Sequence, residues 1–165
     1  MKHTLLLFFL FMLAIPSSFA QLKTYSFDEV EQLSVENPKP IVIFVHTNWC
    51  KYCKMMENTT FKNKELINEL NTNFYFVLFD AESKNDITFN KHTFIFKPTG
   101  QNTGIHELAT ALATIENQVV YPTLTILDPN YSILFQKQSY LKSKDLLSIL
   151  EKIKELPIFE KNSSH

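Results

Sequence analysis

Both cysteines of this 165-residue chain lie in His46-Thr47-Asn48-Trp49-Cys50-Lys51-Tyr52-Cys53, separated by two residues and directly after an apolar run. The thiolate is the form of cysteine that attacks or ligates, and a free thiol with pKa ~8.5 holds little of it at neutral pH. Placement therefore sets reactivity. Where a helix begins, unpaired backbone N–H groups and the positive end of the macrodipole favour an anion, and Lys51 adds a cation beside it. Cys50, preceded by Trp49, is the candidate for the lowered pKa. Cys53, one helical turn further on the same side and more deeply set, is the candidate resolving thiol. His46 is the candidate for proton transfer, because imidazole titrates near neutrality. A strand-end histidine without a chemical role is the plainer reading of that residue.

Two other chemistries fit a close cysteine pair. Zinc needs four ligands, which Cys50 and Cys53 with His46, His92 and His106 supply in number, but only the cysteines have ligand spacing. The residue directly after Cys53 is Lys54 and not histidine, so covalent haem attachment is excluded. A redox-inert structural disulfide is the second. A loop this short removes little entropy from the unfolded chain, so as a staple it is poor and reactivity explains the spacing better. No metal and no organic cofactor is required by the redox reading.

The elements that must position the pair can be read in order. Ser26-Phe27-Asp28-Glu29 has the composition of a capping box, opening a short helix with Phe27, Val30, Leu33 and Val35 on its apolar face. Asn37-Pro38-Lys39-Pro40 stops it. Ile41 to Val45 is a continuous β-branched and aromatic run, the pattern of a central strand buried on both faces. Lys51 to Asn58 reads as a helix start with Met55 and Met56 able to face inward, and Lys64 to Leu70 as its continuation or a second helix. Phe74 to Asp80 is another buried-type strand, so this span is a parallel βαβ unit. Ile87 to Phe96 reads as an inserted hairpin about an Asn-Lys turn, 97 to 104 as loop, and His106 to Ile115 as a helix. Tyr121–Leu127 and Ser132–Phe135 flank Asp128-Pro129-Asn130-Tyr131 as a hairpin, and Ser143 caps a final helix, Lys144 to Lys154. This order predicts an α/β fold, a mixed central sheet with helices on both faces and an insertion before the C-terminal hairpin.

At the N-terminus, a short basic start, an apolar stretch of about a dozen residues and Ser18-Phe19-Ala20 have the three parts of a secretory signal peptide, with cleavage expected after Ala20. The stretch is shorter than the ~20 residues of a spanning helix, which disfavours an uncleaved anchor. Residues 21–165 then form one domain, exported to a periplasm or beyond the cell. Net charge is −1, every cation is a lysine, and only two glycines are present. That composition offers no basic face for nucleic acid, no guanidinium for phosphate and no glycine-rich phosphate loop.

Trp49-Cys50-Lys51-Tyr52-Cys53-Lys54 after a buried strand, with Tyr121-Pro122-Thr123 opening a later one, resembles the thioredoxin family. It is most similar to exported bacterial thioredoxin-like proteins with W-C-K-x-C and an insertion before the last hairpin. The resemblance covers roughly Lys39 to Lys154. It implies a thiol-disulfide oxidoreductase acting on protein disulfides or dithiols, with a membrane-bound redox partner. It also implies a cis Pro122 against the cysteine pair, a Tyr121 backbone that pairs with extended substrate, and an apolar docking rim of Trp49, Tyr52 and Tyr121. Two departures stand out. The acidic residue that thioredoxin proper carries on the central strand is Phe44 here, and Lys51-Tyr52 replaces Gly-Pro. A non-catalytic binding module of the same fold, its disulfide merely locking the chain, is the competing function.

Overall fold

A computed structural model describes residues 21–157. Helix α1 (Phe27–Glu36) starts at Ser26. The Ser26 hydroxyl accepts from the Glu29 N–H at 3.2 Å, and the Glu29 carboxylate accepts from the Ser26 N–H at 2.7 Å. This is the expected reciprocal box. Only the first turn is covered, by Phe79 and Phe89, whose rings lie 5.2 and 5.0 Å from that of Phe27. Leu33 and Val35, expected on the apolar face, are therefore solvent-facing.

Strand β1 (Ile41–His46) is buried along its whole length. It pairs in parallel with β2 (Tyr75–Asp80), from Ile41 opposite Tyr75 to His46 opposite Asp80. Between them come α2 (Lys51–Asn58), a single 3-10 turn (Thr60–Lys62) and α3 (Lys64–Asn73), so 64–70 belongs to a second helix rather than a continuation. Of the two methionines able to face inward, Met56 is buried, whereas Met55 turns outward. Adjacent helical positions point about 100° apart, so one face cannot hold both.

The chain between β2 and the last hairpin is more ordered than its composition suggested. It holds the hairpin β3 (Ile87–Phe89) and β4 (His92–Phe94), then β5 (Phe96–Pro98) and β6 (Gly104–His106), where a loop was expected. Asn90 and Lys91 both take positive φ, as a two-residue hairpin turn requires. Helix α4 (Glu107–Ala113) stops two residues before the expected Ile115. Thr114–Ile115 (β7) instead pairs with Gln118–Val119 (β8) about Glu116-Asn117, again with positive φ.

Strands β9 (Thr123–Leu127) and β10 (Ile133–Gln138) complete a four-stranded sheet in the order β10-β9-β1-β2, with β9 antiparallel to both neighbours. Helix α5 (Ser143–Lys154) has Lys142 at its N-cap with no side-chain cap, so Ser143 is its first residue and not the expected cap. One face of the sheet carries Val42 and Phe44 against Cys53, Met56, Leu66, Leu70 and Leu146. The other carries Ile41, Ile43 and Val45 against Phe27, Val30, Leu108 and Leu112. Helices thus cover both faces, as the order of elements predicts.

Candidate functional site

Strand β1 runs straight into the site because its side chains are apolar on both faces and its last residue, His46, is followed by a tight turn. The Cys50 N–H donates to the Thr47 carbonyl at 3.2 Å, which sets Cys50 as the N-cap of α2. Cys50 and Cys53 form a disulfide with Cα atoms 5.2 Å apart, and the Cys53 N–H donates to Cys50 Sγ at 3.1 Å. That bond comes from one of the orphan donors of the first helical turn, the group that would stabilise a thiolate on Cys50 once the disulfide opens. Cys50 is 5% exposed and Cys53 fully buried, so a partner sulfur can approach the first and not the second. Lys51 lies exposed beside them.

The Tyr121-Pro122 peptide is cis, and Pro122 is buried. Thr123, the next residue, pairs with Val45, so the register of β9 on β1 carries the proline to the strand end from which the cysteine loop departs. Trp49 and Tyr52 are exposed by 67% and 62%, and the Trp49 ring meets that of Tyr121 edge-on at 6.1 Å. Beside them opens a groove of roughly 550 Å³ between Trp49, Glu82, Gly104, Ile105, Val120 and Tyr121. Its far wall is the inserted β5–β6 and β7–β8 pairs, tied to the sheet by the His106 N–H donating to the Ala81 carbonyl at 2.8 Å. The Tyr121 hydroxyl is buried without a partner, and burial, then Glu82 and Asp80, push its pKa up to about 12.

His46 is 7% exposed and stacks on Phe44 with ring centroids 5.8 Å apart. Burial pushes its pKa down, against the opposing charges of Glu57 and Asp80. Its Nδ1 lies 3.8 Å from Glu57 Oε1, too far for a hydrogen bond. The structure therefore brings Cys50, Cys53, Trp49, Lys51, Tyr52, Tyr121 and Pro122 to one end of the sheet, with His46 on the strand beneath. His92 sits on the hairpin and His106 caps α4, its Nδ1 accepting from the Leu108 N–H at 3.2 Å. Among the described residues no three or more His, Cys, Asp or Glu side chains group as a metal site. Sequence reading missed Glu57 and Glu82. Glu57, four residues after Cys53 on a predicted helix, was legible; Glu82 reaches the site only through the path of the chain after β2.

A four-stranded mixed sheet with helices on both faces, a disulfide at a helix start and a cis-proline at the same end of the sheet define a thioredoxin fold carrying a Cys-x-x-Cys pair. The chain belongs to the thioredoxin-like domain family, whose model matches residues 27–154. Among solved structures it is similar to a DsbH oxidoreductase, with TM-score 0.60 and 21% identity over 86% of this chain and 90% of that one. A thioredoxin from Thermus thermophilus gives TM-score 0.60 and 17% identity over 88% and 98%. A thioredoxin-fold protein from Helicobacter pylori gives TM-score 0.55 and 19% over 81% and 83%. These likenesses are of fold. The curated relative spermatogenesis-associated protein 20 of Rattus norvegicus is 39% identical over 57 residues, 34% of this chain, and the chain spans 7% of that protein's length.

Proposed function

We propose that this protein is a thiol-disulfide oxidoreductase working outside the cytoplasm through Cys50 and Cys53. The observation that carries the reading is the asymmetry of the pair: Cys50, at a helix N-cap with an N–H aimed at its sulfur, keeps a small exposed area, while Cys53 is fully buried. In the reduced protein, Cys50 thiolate attacks a substrate disulfide to give a mixed disulfide. Cys53 then attacks Cys50 Sγ and releases the reduced substrate. The same steps in reverse oxidise a substrate dithiol.

Polypeptide substrate would lie along the groove, its backbone pairing with that of Tyr121 beside cis Pro122 and its side chains resting on Trp49 and Tyr52. Lys51 supports the thiolate, and His46 serves proton transfer. Export follows from the leader-like residues 1–20, which lie outside the described residues; within those described, no helix is long and apolar enough to cross a membrane. A reductase in that compartment draws electrons from a membrane-bound donor, and an oxidase passes them to an acceptor.

The test is trapping. Cys53→Ser should accumulate mixed disulfides with other proteins and Cys50→Ser should not. If neither traps anything and Cys50 titrates as an ordinary thiol, the binding-module function holds instead. Direction follows from the reduction potential, a value near about −270 mV favouring reduction and one near about −120 mV oxidation.

A further inference from the structure

The groove beside Cys50 holds a carboxylate that no described cation neutralises. Glu82 lines it, with Oε1 accepting from the Trp49 indole N–H at 3.1 Å and Oε2 without a partner among the described residues. Asp80 stands behind Glu82, its Oδ1 accepting from the Glu82 N–H at 3.0 Å and its Oδ2 from the Asn48 amide at 3.2 Å. All of these donors are neutral, and no described lysine forms an ion pair with either carboxylate. Lys97 on β5 pairs instead with Glu107 at 3.0 Å, and the Lys84 ammonium lies 5.9 Å over the Phe96 ring. Lys51 does not line the groove. The field of the two carboxylates reaches Tyr121, whose hydroxyl is pushed up to about 12 by burial first and by Glu82 and Asp80 next. The walls are of another kind. Ile105 on β6, Val119 on β8 and the exposed Val120 line the groove together with the Trp49 and Tyr121 rings. An apolar trough with a lone carboxylate in it complements a long side chain that has an aliphatic stem and a cationic head. The largely exposed Trp49 ring adds a π surface that attracts the same cation.

We propose that this groove is a subsite for an arginine or lysine side chain next to the cysteine under attack, so that the preferred substrates are disulfides flanked by basic residues. The inference rests on the exchange function proposed above and names its substrate class. Successive side chains of an extended substrate point to opposite faces, so with its backbone along Tyr121 a residue close to the reacting cysteine turns its side chain in between Trp49 and β6. The stem lies on Ile105, Val119 and Val120, and the cation meets Glu82 Oε2 while Oε1 keeps the indole. The far wall exists because the chain between β2 and β9 folds back as the β5–β6 and β7–β8 pairs. The preference is therefore a property of the insertion and not of the four-stranded sheet. Glu82 and the wall residues touch the substrate beside the reacting sulfurs, which makes them determinants of specificity.

The test uses disulfide-looped peptides that differ only in the residue beside one cysteine, which is arginine, norleucine or glutamate. The reduced protein should act on the arginine peptide with kcat/KM about 3- to 10-fold above that for the norleucine peptide, the range that an exposed ion pair and a cation–π contact supply together. The advantage should shrink at high salt. Glu82→Gln keeps an acceptor for the Trp49 indole and removes the charge, so the arginine-to-norleucine ratio should fall to about 1. Glu82→Lys should turn the preference towards the glutamate peptide. Moving the arginine about six residues away should abolish its advantage. Equal values in the wild type, a preference that survives Glu82→Gln, or one that survives the move to the remote position overturns the subsite. Trp49, the single tryptophan of the chain, also reads the groove without any exchange. In the oxidised protein its fluorescence should titrate with an arginine peptide carrying serines in place of cysteines, at an affinity about 3- to 10-fold above that of the norleucine version. If the reduced protein reduces no peptide, the proposed function fails by itself; the titration still decides the subsite, and no response or equal affinities there overturn it.

Discussion

The indole N–H of Trp49 donates to a Glu82 carboxylate oxygen at 3.1 Å, tying the residue before Cys50 to the segment that leaves β2. This contact holds a mostly exposed ring over the groove at the angle that lets it meet Tyr121. Glu82→Ala should leave stability within about 0.5 kcal/mol, as surface changes usually do. It should weaken binding of a protein disulfide by a few fold through loss of ring orientation. Trp49→Ala should cost more, about 10-fold in KM, in line with large aromatic anchors at interfaces. Steady-state kinetics with a protein disulfide, alongside thermal melts, checks both.

Gly104 stands opposite Pro98 where β6 pairs with β5, and a Cβ added there would overlap the Phe96 ring and the Lys97 carbonyl. The ring can turn but the carbonyl belongs to a paired strand. Gly104→Ala should therefore loosen the far wall of the groove, at about 1–3 kcal/mol for overpacking. Hydrogen exchange should show lost protection confined to 96–106 before any change in β1 or β9.

His46 makes stability depend on pH on the acid side of neutrality. Its folded pKa is below the unfolded value of 6.5, so the unfolded chain binds more protons in that interval and stability falls as pH drops below 6.5. The slope from this one group is at most about 1.4 kcal/mol per pH unit. Glu29 and Glu107, both held below 4.5 first by backbone hydrogen bonds, at Ser26 and Ile95 respectively, add losses only further down, as pH falls through their folded values. Melts of wild type and His46→Phe from pH 7 to 5 should diverge, the variant being flatter.

The hydroxyl of Thr60 donates to the Leu141 carbonyl at 2.6 Å, joining the turn after α2 to the approach of α5. Both ends are buried, so Thr60→Val, which keeps the shape, strands an acceptor. The expected loss is about 1–3 kcal/mol with no change in thiol exchange. Urea unfolding with an unchanged m-value would confirm that stability alone has moved.

The chain's own order of residues determined the frame and the chemistry. Continuous apolar runs at 41–45 and 75–79 read as buried strands, the first central and the second at the sheet edge, and Ser26 with Glu29 reads as a helix start. A thiol pair directly after such a strand must fall at a helix N-terminus. These are local effects, within a few residues, and so they were readable. Between β2 and β9 the hairpin about Asn90-Lys91 and the helix after His106 were readable as well, but the two other strand pairs were not. Pro98, Gly104 and the short Thr114–Ile115 and Gln118–Val119 segments have no pattern of their own and are strands because an equally short neighbouring segment pairs with each across a turn. Ser143 lost its cap role because α5 is held by Leu146, Leu150 and Ile153 against the sheet, a packing gain larger than one hydrogen bond. The company of each site residue was likewise a tertiary matter. Register put Pro122 at the cysteine end of β1, the path of the chain after β2 put Glu82 beside Trp49, and the packing of α2 on the sheet put a helix carboxylate opposite a strand histidine, because contacts between residues far apart in sequence are fixed by how the elements pair and pack and not by the residues beside them.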